Sequence, residues 1–140
     1  MSQIIKTAGY GDLLKDIKNR VRAAQYESFK AVNKGMIHLY WDIGQMIVDR
    51  QKKHSWGRSV VINLAKDLRI EFPGVQGFSD RNIWNMRNFY VLYHQNPKLQ
   101  PLVAEISWAK HLIIMSSCKD DLEREFYIYG DLTSPYRHRN

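Results

Sequence analysis

The feature that most constrains this chain is its apolar spacing. From Asp12, the residues Leu14, Ile17, Val21 and Ala24 recur at three- and four-residue steps. The pattern then resumes one position out of phase as Phe29, Val32, Met36, Leu39, Ile43 and Met46. Only a helix puts residues at such steps on one side. The segment predicts one long helix with a phase slip, or two helices broken near Asn33-Lys34-Gly35. A stripe of that length needs a partner, either elsewhere in the chain or along a dimer seam.

Further helices follow from the same rule. QKKHSWG, residues 51–57, reads as a connector, and the spacing predicts a helix over Arg58–Phe72. Its inner residues are Val61, Leu64, Ala65, Leu68 and Phe72, and Pro73-Gly74 closes it because proline cannot continue a helix. Ser79 is a suitable N-cap for a helix running to about His94, with Asp80 at the positive end of the dipole. The expected buried face of that helix is Ile83, Met86, Tyr90 and Tyr93. Ser107 opens a short helix containing Trp108, Leu112, Ile113 and Met115, and a last helix covers about Lys119–Tyr129. One short strand is conceivable around Leu102–Ile106. The expected class is therefore all-α, with 1–130 as one helical domain. Residues 131–140 (DLTSPYRHRN), with turn residues and no periodicity, are set apart as a tail.

Composition narrows the function. An apolar fraction of 44% and a charged fraction of 25% describe a globular chain. No apolar run approaches the roughly 20 residues of a membrane span, and the start MSQIIKTAGYGDLLKD lacks the apolar core of a signal peptide. The single cysteine, Cys118, excludes an internal disulfide and fits a reducing compartment, so the cytoplasm is expected. Net charge is +7. Residues 1–100 hold sixteen Lys/Arg against eight Asp/Glu, and residues 101–140 hold five against six. That balance suits a polyanionic partner, although solubility alone accounts for it equally well.

Catalytic signals are poor. His38, His54, His94, His111 and His138 form no i, i+4 pair, and neither HExxH nor CxxC occurs. A structural role suits each histidine better than ligation, and Cys118 reads as an inert thiol rather than a nucleophile. No cofactor, metal or small-molecule substrate is expected. The aromatic residues are more informative: Tyr40 and Trp108 read as core, whereas Trp84 lies on a flank and faces either another helix or a partner.

Arg81, Asn85 and Asn88 form one stripe opposite the buried face of the Ser79 helix. Such side chains suit base edges and phosphates. Two sequential helices, the second capped and polar outside, have the order of a helix-turn-helix unit, although PGVQGF makes the turn longer than usual. The candidate nucleic-acid contacts are Arg81, Asn82, Asn85 and Asn88, with Arg58, Lys66 and Arg87 as phosphate-neutralising helpers. Asn82 lies nearer the seam, where its alternative role is to fix the start of the helix by hydrogen bonding.

The blocks HLYWDIGQMI, SWG, LAKDLRIEFPGVQGFSDRNIWNMRNFY, ISWAKHLIIM and EREFYIY resemble, in order, the N-terminal domain of YhcG-type bacterial proteins. Tyr40, Trp41, Ile43 and Gly44 match one block of that family, Trp56 and Gly57 another, and Phe72 and Pro73 a third. Gly77, Phe78, Ser79, Arg81, Asn82 and Met86 match its most characteristic stretch, and Trp108, His111 and Tyr127 its later marks. Lys110 departs, standing where members carry glycine or histidine. The resemblance implies a helical, DNA-associated domain placed before a C-terminal half similar to PD-(D/E)XK nucleases. No spaced Asp…Glu-x-Lys set occurs within 1–140, so the chain is not expected to be an enzyme itself. The expected role is to bind DNA or to position a nuclease on it. The alternative is a protein-interaction or dimerisation module, assembling as a homo-oligomer through the N-terminal helix.

Overall fold

The computed structural model describes residues 9–134. Among these residues there are five α-helices and no strand: α1 Tyr10–His54, α2 Arg58–Glu71, α3 Asp80–Tyr93, α4 Trp108–Ser117 and α5 Asp121–Thr133. The all-α class is as expected. The conceivable strand is instead a 3-10 turn, Val103–Glu105. Its neighbouring carbonyls are taken by a side chain rather than a sheet: Asn33 Nδ2 donates to Ala104 O (3.1 Å) and Ile106 O (3.0 Å). Residues 131–133 of the expected tail belong to α5, and residues 135–140 lie outside the described residues.

Two compact units divide between Val32 and Asn33. The first is the leading part of α1. Its Leu14, Ile17 and Val21 are exposed, and so are Phe29 and Val32. The second unit begins where Asn33 caps the 3-10 region and Lys34 pairs with Glu105 at 2.8 Å. No helical break occurs at Asn33-Lys34-Gly35, so α1 is one helix of 45 residues.

In the second unit the α1 seam differs from the expected one. Ile37, Tyr40, Gly44, Ile47 and Val48 are buried, whereas Leu39 and Met46 of the expected stripe are 47% and 54% exposed. Gly44 explains the shift. A Cβ there would collide with the backbone carbonyl of Met86, so the missing side chain is what lets α1 and α3 approach backbone to backbone. Counting apolar side chains passes over a glycine and selects the adjacent row.

The core centres on α3, where Ile83, Met86, Phe89 and Tyr93 are buried. Phe89, not Tyr90, holds the middle of that face. Its ring meets Trp41 at 5.6 Å, Trp108 at 5.3 Å and His111 at 4.8 Å. Burying such a ring stabilises by about 1.5–3 kcal/mol. Tyr90 is half-buried between Trp41 and His94. Tyr40 and Trp108 are core residues, edge-to-face at 4.8 Å. Helix starts are set by side chains: Ser79 accepts from the Asn82 amide, Ser107 from Lys110 and Asp120 from Glu123. On α2, Val61 and Ala65 are buried, but Phe72, the C-cap residue before Pro73, is about half exposed, with its ring against Phe78.

Two glycines of α1 should respond in opposite ways. Gly44→Ala should destabilise by roughly 1–3 kcal/mol through overpacking against Met86. Gly35→Ala, where a Cβ meets nothing within 4 Å, should stabilise by about 0.5–1 kcal/mol. Denaturant titration of both variants checks this, and equal effects would contradict the assigned seam.

Candidate nucleic-acid interface

The start of α3 is fixed before any of its outward residues can act. Arg69 on α2 donates to Phe78 O (2.8 Å) and to Asp80 Oδ1 (3.2 Å), tying the 72–79 loop to the preceding helix. Gly77 adopts a left-handed φ of +99°, and a Cβ there would strike the Tyr40 hydroxyl. Asn82 closes the arrangement. Its Nδ2 donates to Gly77 O at 2.7 Å, and its Oδ1 accepts from Trp108 Nε1 at 2.7 Å. The geometry thus gives Asn82 the helix-fixing role, with its polar atoms engaged inside the domain.

The remaining candidates fall into two linked sets. Arg81 is exposed and makes no side-chain hydrogen bond or ion pair among the described residues. With the half-buried Asn85 and Asn88 it lines an open groove of about 610 Å³, whose lining also includes Leu92, and Leu112 and Met115 of α4. Beside that groove, the Arg58 and Arg87 guanidinium groups lie 5.3 and 4.8 Å from the Trp84 ring, each a cation–π contact. Arg87 joins the sets: its Nε donates to Gln51 Oε1 (2.9 Å) and its NH1 to Asn88 Oδ1 (3.0 Å). Lys66 is exposed on α2 and lines neither set. Sequence reasoning missed the wall formed by Leu112 and Met115 and the anchor Gln51. Both depend on helices distant in sequence, so no local spacing could reveal them.

The described fold is thus an all-α domain with two consecutive packed helices and a polar row on the second. Residues 16–139 match the DUF1016 N-terminal domain. The chain belongs to that family. A protein of Escherichia coli (strain K12) named "Putative nuclease YhcG" is 30% identical over 105 residues, covering 72% of this chain and 28% of that relative. The chain therefore spans well under a third of the relative's length. No solved structure matches it.

Among the described residues no group of three or more His, Cys, Asp or Glu could hold a metal ion, and no helix is long and apolar enough to cross a membrane. Burial raises the Cys118 thiol pKa, with Glu123 adding to the effect, which keeps it protonated. His111 is fully buried. Its Nε2 lies 2.7 Å from Val103 O and so must carry the proton, while Nδ1 meets no partner. Burial lowers its pKa from 6.5 to about 4.

A histidine whose folded pKa is depressed is held neutral, so the unfolded chain binds more protons below about pH 6.5. The stability is fully present above that pH and is lost as pH falls toward 4, by an amount on the order of 3 kcal/mol. Melting curves from pH 7 to pH 4 should show the decline. His111→Gln keeps a donor for Val103 but cannot titrate, so it should flatten the curve. An unchanged slope would place the acid sensitivity elsewhere.

Proposed function

We propose that this chain is a helix-turn-helix-like module that binds DNA, or positions a nuclease on DNA, through the outward side of α3. The observation that carries the reading is the unpaired Arg81 at the first turn of α3, in one row with Asn85 and Asn88. In a helix-turn-helix the N-terminal residues of the second helix approach base edges. Arg58 and Arg87, held against Trp84, supply positive charge beside that row, whereas the exposed Lys66 of α2 contributes only to the overall positive charge. The net charge of +7 favours encounter with a polyanion. Cleavage is assigned to another part of the nuclease architecture, and this module supplies placement.

Fluorescence anisotropy with labelled duplex at two salt concentrations tests the reading, alongside melting curves. Arg81→Ala should weaken binding and lower the salt slope by about one counterion, with stability changed by less than about 0.5 kcal/mol. Asn82→Ala should cost roughly 1–3 kcal/mol of stability, since it orphans the buried Trp108 N–H. Unchanged affinity in the Arg81 variant, or its unfolding, would overturn the assignment.

A second reading, assembly of copies through the leading part of α1, is favoured by the exposed Leu14, Ile17 and Val21 at coiled-coil spacing. Sedimentation at micromolar concentration should give a dimer that Ile17→Asp with Val21→Asp returns to monomer. A monomer of 16.5 kDa in low and moderate salt would exclude it.

A further inference from the structure

The polar row of α3 does not stand on a bare ridge. Asn85 and Asn88 are half-buried, because α4 rises beside them and its Leu112 and Met115 line the same groove. Reading a duplex requires side chains that reach out into the major groove to the edges of stacked, paired bases. Arg81, exposed at the first turn, meets that requirement, while the half-buried amides of Asn85 and Asn88 sit further back. A base that has left the stack can come to them.

The lining matches such a guest. A nucleobase is polar along its edge and apolar on its two faces. This groove carries the amides of Asn85 and Asn88 together with the apolar side chains of Leu92, Leu112 and Met115. Its volume of about 610 Å³ lies within the ~300–1,000 Å³ of small-ligand clefts. Arg81 lines it too, unpaired and exposed, as a nucleotide's phosphate requires. We propose that the groove takes an unpaired nucleobase, so that the module prefers DNA carrying unpaired bases over continuous duplex. The inference rests on the DNA-binding reading above and names the form of DNA.

The roles follow from the contacts. Arg87 NH1 donates to Asn88 Oδ1, so Asn88 offers its NH2 as a donor to the base edge, and Asn85 can supply either a donor or an acceptor. Leu92, Leu112 and Met115 cover a base face by dispersion and burial. Because they are aliphatic and make no directional contact, discrimination among the four bases should be modest. Removing a paired base from the stack costs a few kcal/mol, and that cost is smallest for a mismatched or single-stranded base. A groove of this kind therefore selects distorted DNA without reading a long sequence.

The test uses the full chain and three labelled oligonucleotides of equal length: a continuous duplex, the same duplex with a central mismatched bubble, and the single strand. The bubble should bind about tenfold tighter than the duplex, a difference of 1.4 kcal/mol. Ser116→Trp, at an exposed lining position of the groove, should remove that preference while duplex affinity stays. Met115→Ala, which removes the cover for a base face at a half-buried lining position, should do the same without adding bulk, and melting curves of both variants establish that they fold. Arg81→Ala should weaken binding to all three probes. Equal affinity for bubble and duplex, or a preference that survives both groove variants, would overturn the inference while leaving DNA binding intact. Binding to none of the probes would overturn the DNA-binding reading, and this inference with it.

Discussion

The side chain of Asn82 holds the second unit in register. One amide group donates to the Gly77 carbonyl and accepts the Trp108 indole N–H, next to the Tyr40 hydroxyl that crowds Gly77. It thereby connects the loop before α3, α3 itself and α4. The apolar packing is arranged around that node: Trp108 meets Tyr40 and Phe89 edge-to-face, and Phe89 in turn meets Trp41. A buried indole N–H without an acceptor costs more than an ordinary hydrogen bond contributes. The amide therefore specifies the arrangement as well as stabilising it. Gly44 and Gly77 are needed for the same reason, since α1 and the Tyr40 hydroxyl occupy the space their side chains would fill.

This node divides the labour along α3. Because Asn82 satisfies the inward side, its helical neighbours Arg81, Asn85 and Asn88 need no role in the core. Arg87 is restrained more firmly than a surface arginine usually is, by Gln51, Asn88 and the Trp84 ring together. Restraint of this kind lowers the entropy lost when a phosphate is bound. Among the described residues Arg81 is left exposed and without an ion-pair or hydrogen-bond partner at the first turn, where the amide ends of the helix add their own positive potential.

What could be seen in the sequence was local. The Ser79 and Ser107 caps follow from one hydroxyl and an amide three residues on, and the shared side of Arg81, Asn85 and Asn88 follows from helical geometry alone. What could not be seen was set by contacts across the chain. The seam of α1 turns on Gly44, which has no side chain for a periodicity count to register. Phe89 displaces Tyr90 from the core because Trp108 and His111, from α4, converge on it. Asn82 turns inward because an indole from 26 residues away supplies its partner. The groove exists because Leu112 and Met115 belong to a helix whose docking no spacing in α3 encodes.

Amide-resolved NMR distinguishes the inward-held Asn82 of α3 from the outward row of Arg81, Asn85 and Asn88. Titrating DNA into the isotope-labelled chain should shift the Arg81 backbone, the Asn85 and Asn88 side-chain amides and the Trp84 indole, which contacts both Arg58 and Arg87. The Trp108 indole and the Asn82 side-chain amide should stay in place, because their hydrogen bond lies inside the frame. Shifts centred on Trp108 and Asn82, or confined to the leading part of α1, would overturn this division of α3.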